Sequence, residues 1–258
     1  MNQNPSRFSL KAIILIGLFG AICYVALLFK IPIPSPVGKP FLHMGNMFVI
    51  LAALLFSGTI GGLAGSIGMG LFDLMNGWAD SVPKTLLLKF GIGFITGLIA
   101  SKGHHKEAKS PVKWIVLAGS LLMITGLALL GVSLTYGNEI AIDGIEKKFT
   151  VIPVLYIFSL LLGTLLIITC LFIKKVSIKL QYAIIGAVAG IAFNLLGEFL
   201  FGMVKLFWAG SALVPAIIGS AISLPATLIN GTFSIIVAII LYMPLSRALE
   251  KMHLGIQL

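Results

Sequence analysis

The sequence predicts an all-α polytopic membrane helix bundle of about eight spans, forming one integral membrane domain over residues 1–258. Three observations carry that prediction. Hydrophobic residues fill 59% of the positions and the mean hydropathy is +1.10. Charged residues make up 10%, against roughly a quarter in a soluble domain, too few to cover a globular surface in water. The apolar residues also fall in uncharged runs of roughly 20, the length that crosses a bilayer as a helix.

The first run, Ala12 to Phe29, follows Arg7 and Lys11. Its charge-then-apolar order is that of a signal peptide, but it is too long, and Cys23 after Gly20-Ala21-Ile22 makes no cleavage pattern. It reads as a retained span with a cytoplasmic amino terminus. The stretch Gly45 to Asn76 reads as two short helices reversing near Ser57 to Gly62. Only then do the basic loops Lys102 to Lys113 and Lys174 to Lys179 share a side with Arg7, Lys11, Arg247 and Lys251. Clear spans follow at Thr85 to Ala100, Trp114 to Tyr136, Val151 to Ile173 and Tyr182 to about Val204. The run from Leu206 to Ser246 reads as an outer loop near Trp208 to Val214 and a last helix, about Pro215 to Pro244, bent at Pro225 where the ring removes a backbone bond. Both termini are then cytoplasmic. The longest outer loop, Gly137 to Thr150, carries Glu139, Asp143 and Glu146, with Lys147 and Lys148 running against the positive-inside rule.

The net charge of +10 comes from 18 Lys and Arg scattered between apolar runs, so it reports topology and not nucleic-acid binding. Cys23 and Cys170 lie in apolar stretches and read as packing residues. No GxxxxGK[ST], HExxH or GxSxG occurs in the sequence, which leaves ATP hydrolysis to other chains and gives no hydrolase chemistry, cofactor or metal site. His104-His105 reads as a solvated pair in a Lys-rich loop. Small residues recur four apart along most runs, as at Gly58 and Gly62 or Gly93 and Gly97, the spacing of close helix contacts. On the first helix, Gly17, Gly20 and Ala21 read as a smooth patch open to another protein.

An ionisable residue inside a span is a functional-site hypothesis, because lipid penalises it. Asp73, Lys84, Lys89, Glu198 and Asn46 map to the outer half of their helices, and Asn230, mid-span on the last helix, adds a neutral donor and acceptor. Asn194 and Glu198 share a face, as do Thr85 and Lys89, while Lys84 points elsewhere. These residues, with Trp78, Phe199 and Phe201 nearby, are expected to converge on one outward-facing pocket for a small polar aromatic molecule. The opposing reading is a structural ion pair of Lys89 with Asp73 or Glu198. His43 stands where the first outer loop meets the second helix, a place for ligand contact or, more commonly, an interfacial histidine.

Several segments together resemble a known family: Leu42-His43-Met44-Gly45-Asn46, the Gly61-to-Gly68 stretch, Leu71-Phe72-Asp73-Leu74, Pro83-Lys84-Thr85 to Lys89, and Ser223-Leu224-Pro225-Ala226-Thr227. They look like the substrate-binding S component of energy-coupling factor (ECF) vitamin transporters, of the riboflavin, hydroxymethylpyrimidine and pyridoxine type. The likeness implies a six-helix core, residues 9–101 and 182–251, with 113–173 an inserted helix pair. It also implies capture of a vitamin-like ligand in a bacterial plasma membrane, and partnership with a membrane T component and two cytoplasmic ATPase subunits. The family docks through two alanines four apart on the first helix, where Gly17 and Ala21 stand here. A rival reading is a self-sufficient secondary transporter with Asp73 and Glu198 as ion sites. An intramembrane enzyme ranks third, since no nucleophile and base assemble.

Overall fold

The computed structural model describes residues 9–32, 41–137, 139–142, 145–150, 152–172 and 175–252. Arg7, Asp143, Val151, Ile173 and Lys174, used above to set spans and orientation, lie outside them. Each expected segment is helical. Helix α1 (Leu10–Leu28) starts where the Ser9 side chain accepts the Ala12 N–H at 3.2 Å, a standard N-cap. Helices α2 (Gly45–Leu55) and α3 (Gly58–Met75) are separated only by Phe56 and Ser57. Ser57 is extended (φ −166°, ψ 159°), and its hydroxyl accepts the Ile60 N–H at 3.2 Å, so one residue both ends the first direction and caps the second. A single 3-10 turn at Ala79–Ser81 leads into α4 (Val82–Ser101). Next come α5 (Val112–Tyr136), α6 (Ile152–Leu171), α7 (Ile178–Trp208) and α8 (Leu213–Lys251).

By length and composition, five helical segments among the described residues can cross a membrane: α1, the stretch around α4, α5, α7 and α8. Helix α2, with 11 residues, rises only about 16 Å.

The structure amends the expected fold in two places. The connections are not purely helical: β1 (Ile31–Pro32) pairs antiparallel with β2 (Phe41–Leu42), and β3 (Glu139–Ile142) with β4 (Ile145–Thr150). Their backbone groups find partners across a ribbon because no helix can include them. Helix α8 also runs past Pro244 to Lys251, 39 residues in all, with Pro225 and Pro244 inside. Each proline removes one backbone bond, a loss that long membrane helices tolerate.

Glycine sets how closely the helices approach. A Cβ on Gly68 would sit 2.1 Å from the Gly20 carbonyl oxygen, and one on Gly93 would sit 2.2 Å from the Gly62 nitrogen. Gly61 lies against Ala53 and Gly65 against Val49, so α2 and α3 run antiparallel. Gly62 against Phe90 and Gly58 against Phe94 do the same for α3 and α4, and Gly190 and Gly197 seat α7 on Ile92 and Leu88 of α4. Helices α1 to α4, α7 and α8 thus pack as one body. The α5–α6 pair packs mainly on itself, through Gly119, Gly126 and Gly163, and meets the rest along α8 and α7.

One expectation on α1 is corrected here. Gly20 is buried against Ala64 and Gly68 of α3 and takes no part in an open patch. The small residue is there because two helix backbones nearly touch. Gly17 and Ala21 remain exposed, on the side that also carries Ile13, Ile14, Leu18 and Val25.

Candidate functional site

Helical periodicity aims one stripe from each of four helices at a common space. Met69 and Asp73 are four apart on α3, and Thr85 and Lys89 four apart on α4. Asn194, Glu198, Phe201 and Lys205 follow one another on α7, and Ser223, Ala226, Thr227 and Asn230 on α8. With Asn46 in the first turn of α2, and Phe41, His43, Trp78 and Asp80 from the connections, they line a cavity of about 1020 Å³. All seven residues expected to form the pocket, Asn46, Asp73, Trp78, Lys89, Asn194, Glu198 and Asn230, are among its walls.

Trp78 owes its place to the end of α3. Asn76 caps that helix through its side-chain amide, which donates to the Phe72 carbonyl at 2.8 Å. Gly77 then takes φ +81°, a left-handed conformation that glycine adopts without Cβ strain. The chain doubles back so that the Trp78 N–H reaches the Asp73 carbonyl at 2.8 Å. The indole stacks on Phe41, with ring centroids 5.6 Å apart and planes 29° off parallel. Outside this pair the Lys30 ammonium lies 5.0 Å from the Trp78 ring centre and 5.4 Å from that of Phe41, within cation–π range.

Most charged groups of the wall are already paired. The Thr85 hydroxyl donates to Asp73 at 2.5 Å. Lys84 donates to Glu198 at 2.8 Å, and at the exposed rim Lys205 reaches Asp80 at 2.6 Å. Lys89, 6% exposed, donates to the Asn194 amide oxygen at 3.0 Å. The ion pair expected of Lys89 with Asp73 or Glu198 is therefore not the one formed: its contact is a neutral acceptor.

Lys84 is a second correction. It was expected to point away, yet α7 packs on Leu88 and Ile92, the stripe that Lys84 begins, and so brings Glu198 to its ammonium. Phe201 lines the cavity, whereas Phe199 does not; its carbonyl accepts from Ser220 of α8 at 2.6 Å.

His43 proves to be a wall residue. Its Nδ1 accepts the Gly45 N–H at 3.1 Å, fixing the start of α2 beside Asn46. Enclosure by its neighbours, with Lys89 adding positive charge, pushes the imidazole down to about 3, so it stays neutral at ordinary pH.

Of the wall residues that sequence reasoning left out, Lys205 had a legible signal, seven positions after Glu198 on the same stripe. Asp80 and Phe41 lie in connections, where periodicity gives no direction. Together the walls offer a flat aromatic plate, ammonium groups, carboxylates and amides in one hollow, a set that suits a small planar polar molecule.

Comparison with known proteins identifies a transporter family. The family model described as ECF-type riboflavin transporter, S component, matches residues 7–171, that is α1 to α6. An uncharacterized protein in gap 3'region of Pyrococcus woesei is 31% identical over 106 residues, 41% of this chain and 68% of that one. The thiamine precursor transporter HmpT of Lactococcus lactis subsp. cremoris is 24% identical over 159 residues, 61% of this chain and 89% of that one. No solved structure matches the chain.

Proposed function

The chain belongs to the ECF-type riboflavin transporter S component family, a multi-pass transport protein and not an enzyme, and from that premise we propose that it captures one small water-soluble vitamin or vitamin precursor in the cavity between α3, α4, α7 and α8. All eight helices cross the membrane in this reading, with both termini cytoplasmic and the cavity opening outward. Helices α1 to α4, α7 and α8 form the capturing core, and α5–α6 is an insertion. The exposed Gly17 and Ala21 face of α1 receives a membrane T component, and two ATPase subunits supply the energy.

The observation that carries this reading is the convergence of Asn46, Asp73, Trp78, Lys89, Asn194, Glu198 and Asn230, from five helices and one connection, on one cavity. Lipid makes such a gathering costly unless a ligand or water uses it. The name of the relative HmpT puts a thiamine precursor among the first compounds to try.

Titration calorimetry on the purified protein is the test. Binding of a vitamin-class compound should weaken at least tenfold, about 1.4 kcal/mol, in Lys89→Met and in Glu198→Gln. Unchanged affinity in both variants overturns the pocket. Uptake into vesicles that proceeds without ATPase partners and collapses with an uncoupler would instead identify a self-sufficient ion-coupled transporter.

A further inference from the structure

The lysines at the two ends of the bundle differ in what they touch. At the cavity end, Lys84 and Lys205 are paired with Glu198 and Asp80, and Lys30 lies over aromatic rings. At the opposite end, the connection from α4 to α5 and the approach to α7 carry Lys102, Lys106, Lys109, Lys113, Lys175 and Lys179, all exposed. Of these six, only Lys179 has an ion-pair partner among the described residues, Glu250 at 3.1 Å. From Lys102 to Lys113 the sequence sets one carboxylate, Glu107, against four lysines, so the charge is not compensated locally.

The backbone that carries these lysines is folded onto α7. Gly103 seats on Tyr182, where a Cβ would lie 2.8 Å from the tyrosine Cβ. The Tyr182 hydroxyl donates to the Lys109 carbonyl at 3.2 Å, and the Ser110 hydroxyl to the Gln181 amide oxygen at 2.5 Å. The lysines of the connection and those beside α7 therefore form one cluster.

That cluster stands on an apolar foot. Gly119 of α5 meets Gly163, Leu166 and Ile167 of α6, and Gly126 meets Leu160, an antiparallel register that brings Trp114 level with Leu171 and Phe172. Trp114 is 65% exposed and Phe172 53%. Lys113 precedes the indole in sequence, and the Lys175 ammonium lies 5.9 Å from the centre of the Phe172 ring, within cation–π range. Exposed rings at a helix end with ammonium groups just beyond them match a phospholipid at headgroup level, with acyl chain beside the rings and phosphate beside the lysines. A soluble anion or an acidic peptide would use the lysines and leave the rings unused.

We infer that this end of the α5–α6 pair, with the α4–α5 connection, is a binding site for the phosphate headgroups of anionic phospholipids. In the orientation proposed above, those lipids belong to the cytoplasmic leaflet. The inference gives the inserted pair a role that ligand capture does not call on, and it is independent of what the cavity holds.

The full chain in nonionic detergent is titrated with phosphatidylglycerol and, separately, with phosphatidylcholine of the same acyl chains, and bound lipid is counted by native mass spectrometry. Phosphatidylglycerol should bind at least about tenfold more tightly. Lys109→Gln, Lys113→Gln and Lys175→Gln should each weaken it about fivefold and leave phosphatidylcholine unmoved, while Lys113→Arg retains the preference. Trp114→Ser should weaken both lipids and keep their ratio. All four positions are exposed, and an unchanged thermal midpoint verifies that each variant is folded. Equal affinity for the two lipids overturns the inference. So does a preference that survives the three glutamine changes combined, because the anionic lipid would then be held elsewhere. Displacement of bound phosphatidylglycerol by an equal concentration of glycerol phosphate overturns it as well and assigns the lysines to a soluble anion.

Discussion

The α5–α6 pair and the six-helix body it packs against are built from the same small residues, yet the side-chain bonds that tie one helix to another are concentrated in the body. In the pair, hydroxyls turn back on their own helix: Thr125 to the Leu121 carbonyl, Thr135 to Gly131 and Thr169 to Leu165. Thr164 differs, its hydroxyl reaching the Met123 sulfur of α5 at 3.4 Å. In the body some hydroxyls also turn back on their own helix, Ser223 to the Ser220 carbonyl and Ser234 to Asn230. Other side chains there cross from one helix to another, Thr85 to Asp73, Lys84 to Glu198, Lys89 to Asn194, Ser66 to the Leu86 carbonyl. Glycine spacing therefore reports only how closely two helices lie. Bonds that cross between helices add what spacing lacks, because the charged ones gather at the cavity wall.

The largest contrast is expected from backbone packing. Gly93→Leu puts a side chain into the Gly62 backbone, whereas a Cβ on Gly131 of α5 meets nothing within 4 Å. Thermal unfolding in detergent should show a loss of ~3 kcal/mol or more for Gly93→Leu and a change within about 0.5 kcal/mol for Gly131→Leu. Equal losses would erase the distinction between the two regions.

Acid should separate them next. The folded His43 has a pKa depressed to about 3, below the unfolded value of about 6.5, so the native state binds fewer protons. Its contribution is complete above pH 6.5 and is lost as pH falls from there toward 3, about 2 kcal/mol by pH 5. Helices α5 and α6 contain no Asp, Glu or His. A pH series of unfolding midpoints should therefore flatten in His43→Gln, and a slope that survives the substitution would place the acid sensitivity elsewhere.

The smallest contrast is between two isosteric changes. Thr85→Val strips Asp73 of its hydroxyl donor and should cost about 1–2 kcal/mol, while Thr125→Val removes a hydroxyl bonded to its own helix and should move stability by less than about 0.5 kcal/mol. Matching effects in the two would show that the cross-helix bond adds nothing.

The helices and most of the pocket could be read from the sequence, because uncharged runs and four-residue spacing are local signals. Ser57 was legible as a reversal point from charge bias, and its capping hydroxyl supplies the local reason. What escaped depends on a neighbour the sequence does not name. Gly20 faces inward because α3 arrives there, Lys84 bends to Glu198 because α7 does, and the β1–β2 ribbon pairs Ile31 with Leu42 and Pro32 with Phe41 with no apolar alternation to announce it.

The brevity of α2 has a consequence for distance travelled. The Phe56–Ser57 link is level with Gly97, one turn from the end of α4, and Asn46 opens the helix at the other extremity. Asn46, in the cavity wall, is separated from that link by 11 residues of helix, about 16 Å, roughly half the thickness of a hydrocarbon core, so the distance left along α2 beneath the hollow is short.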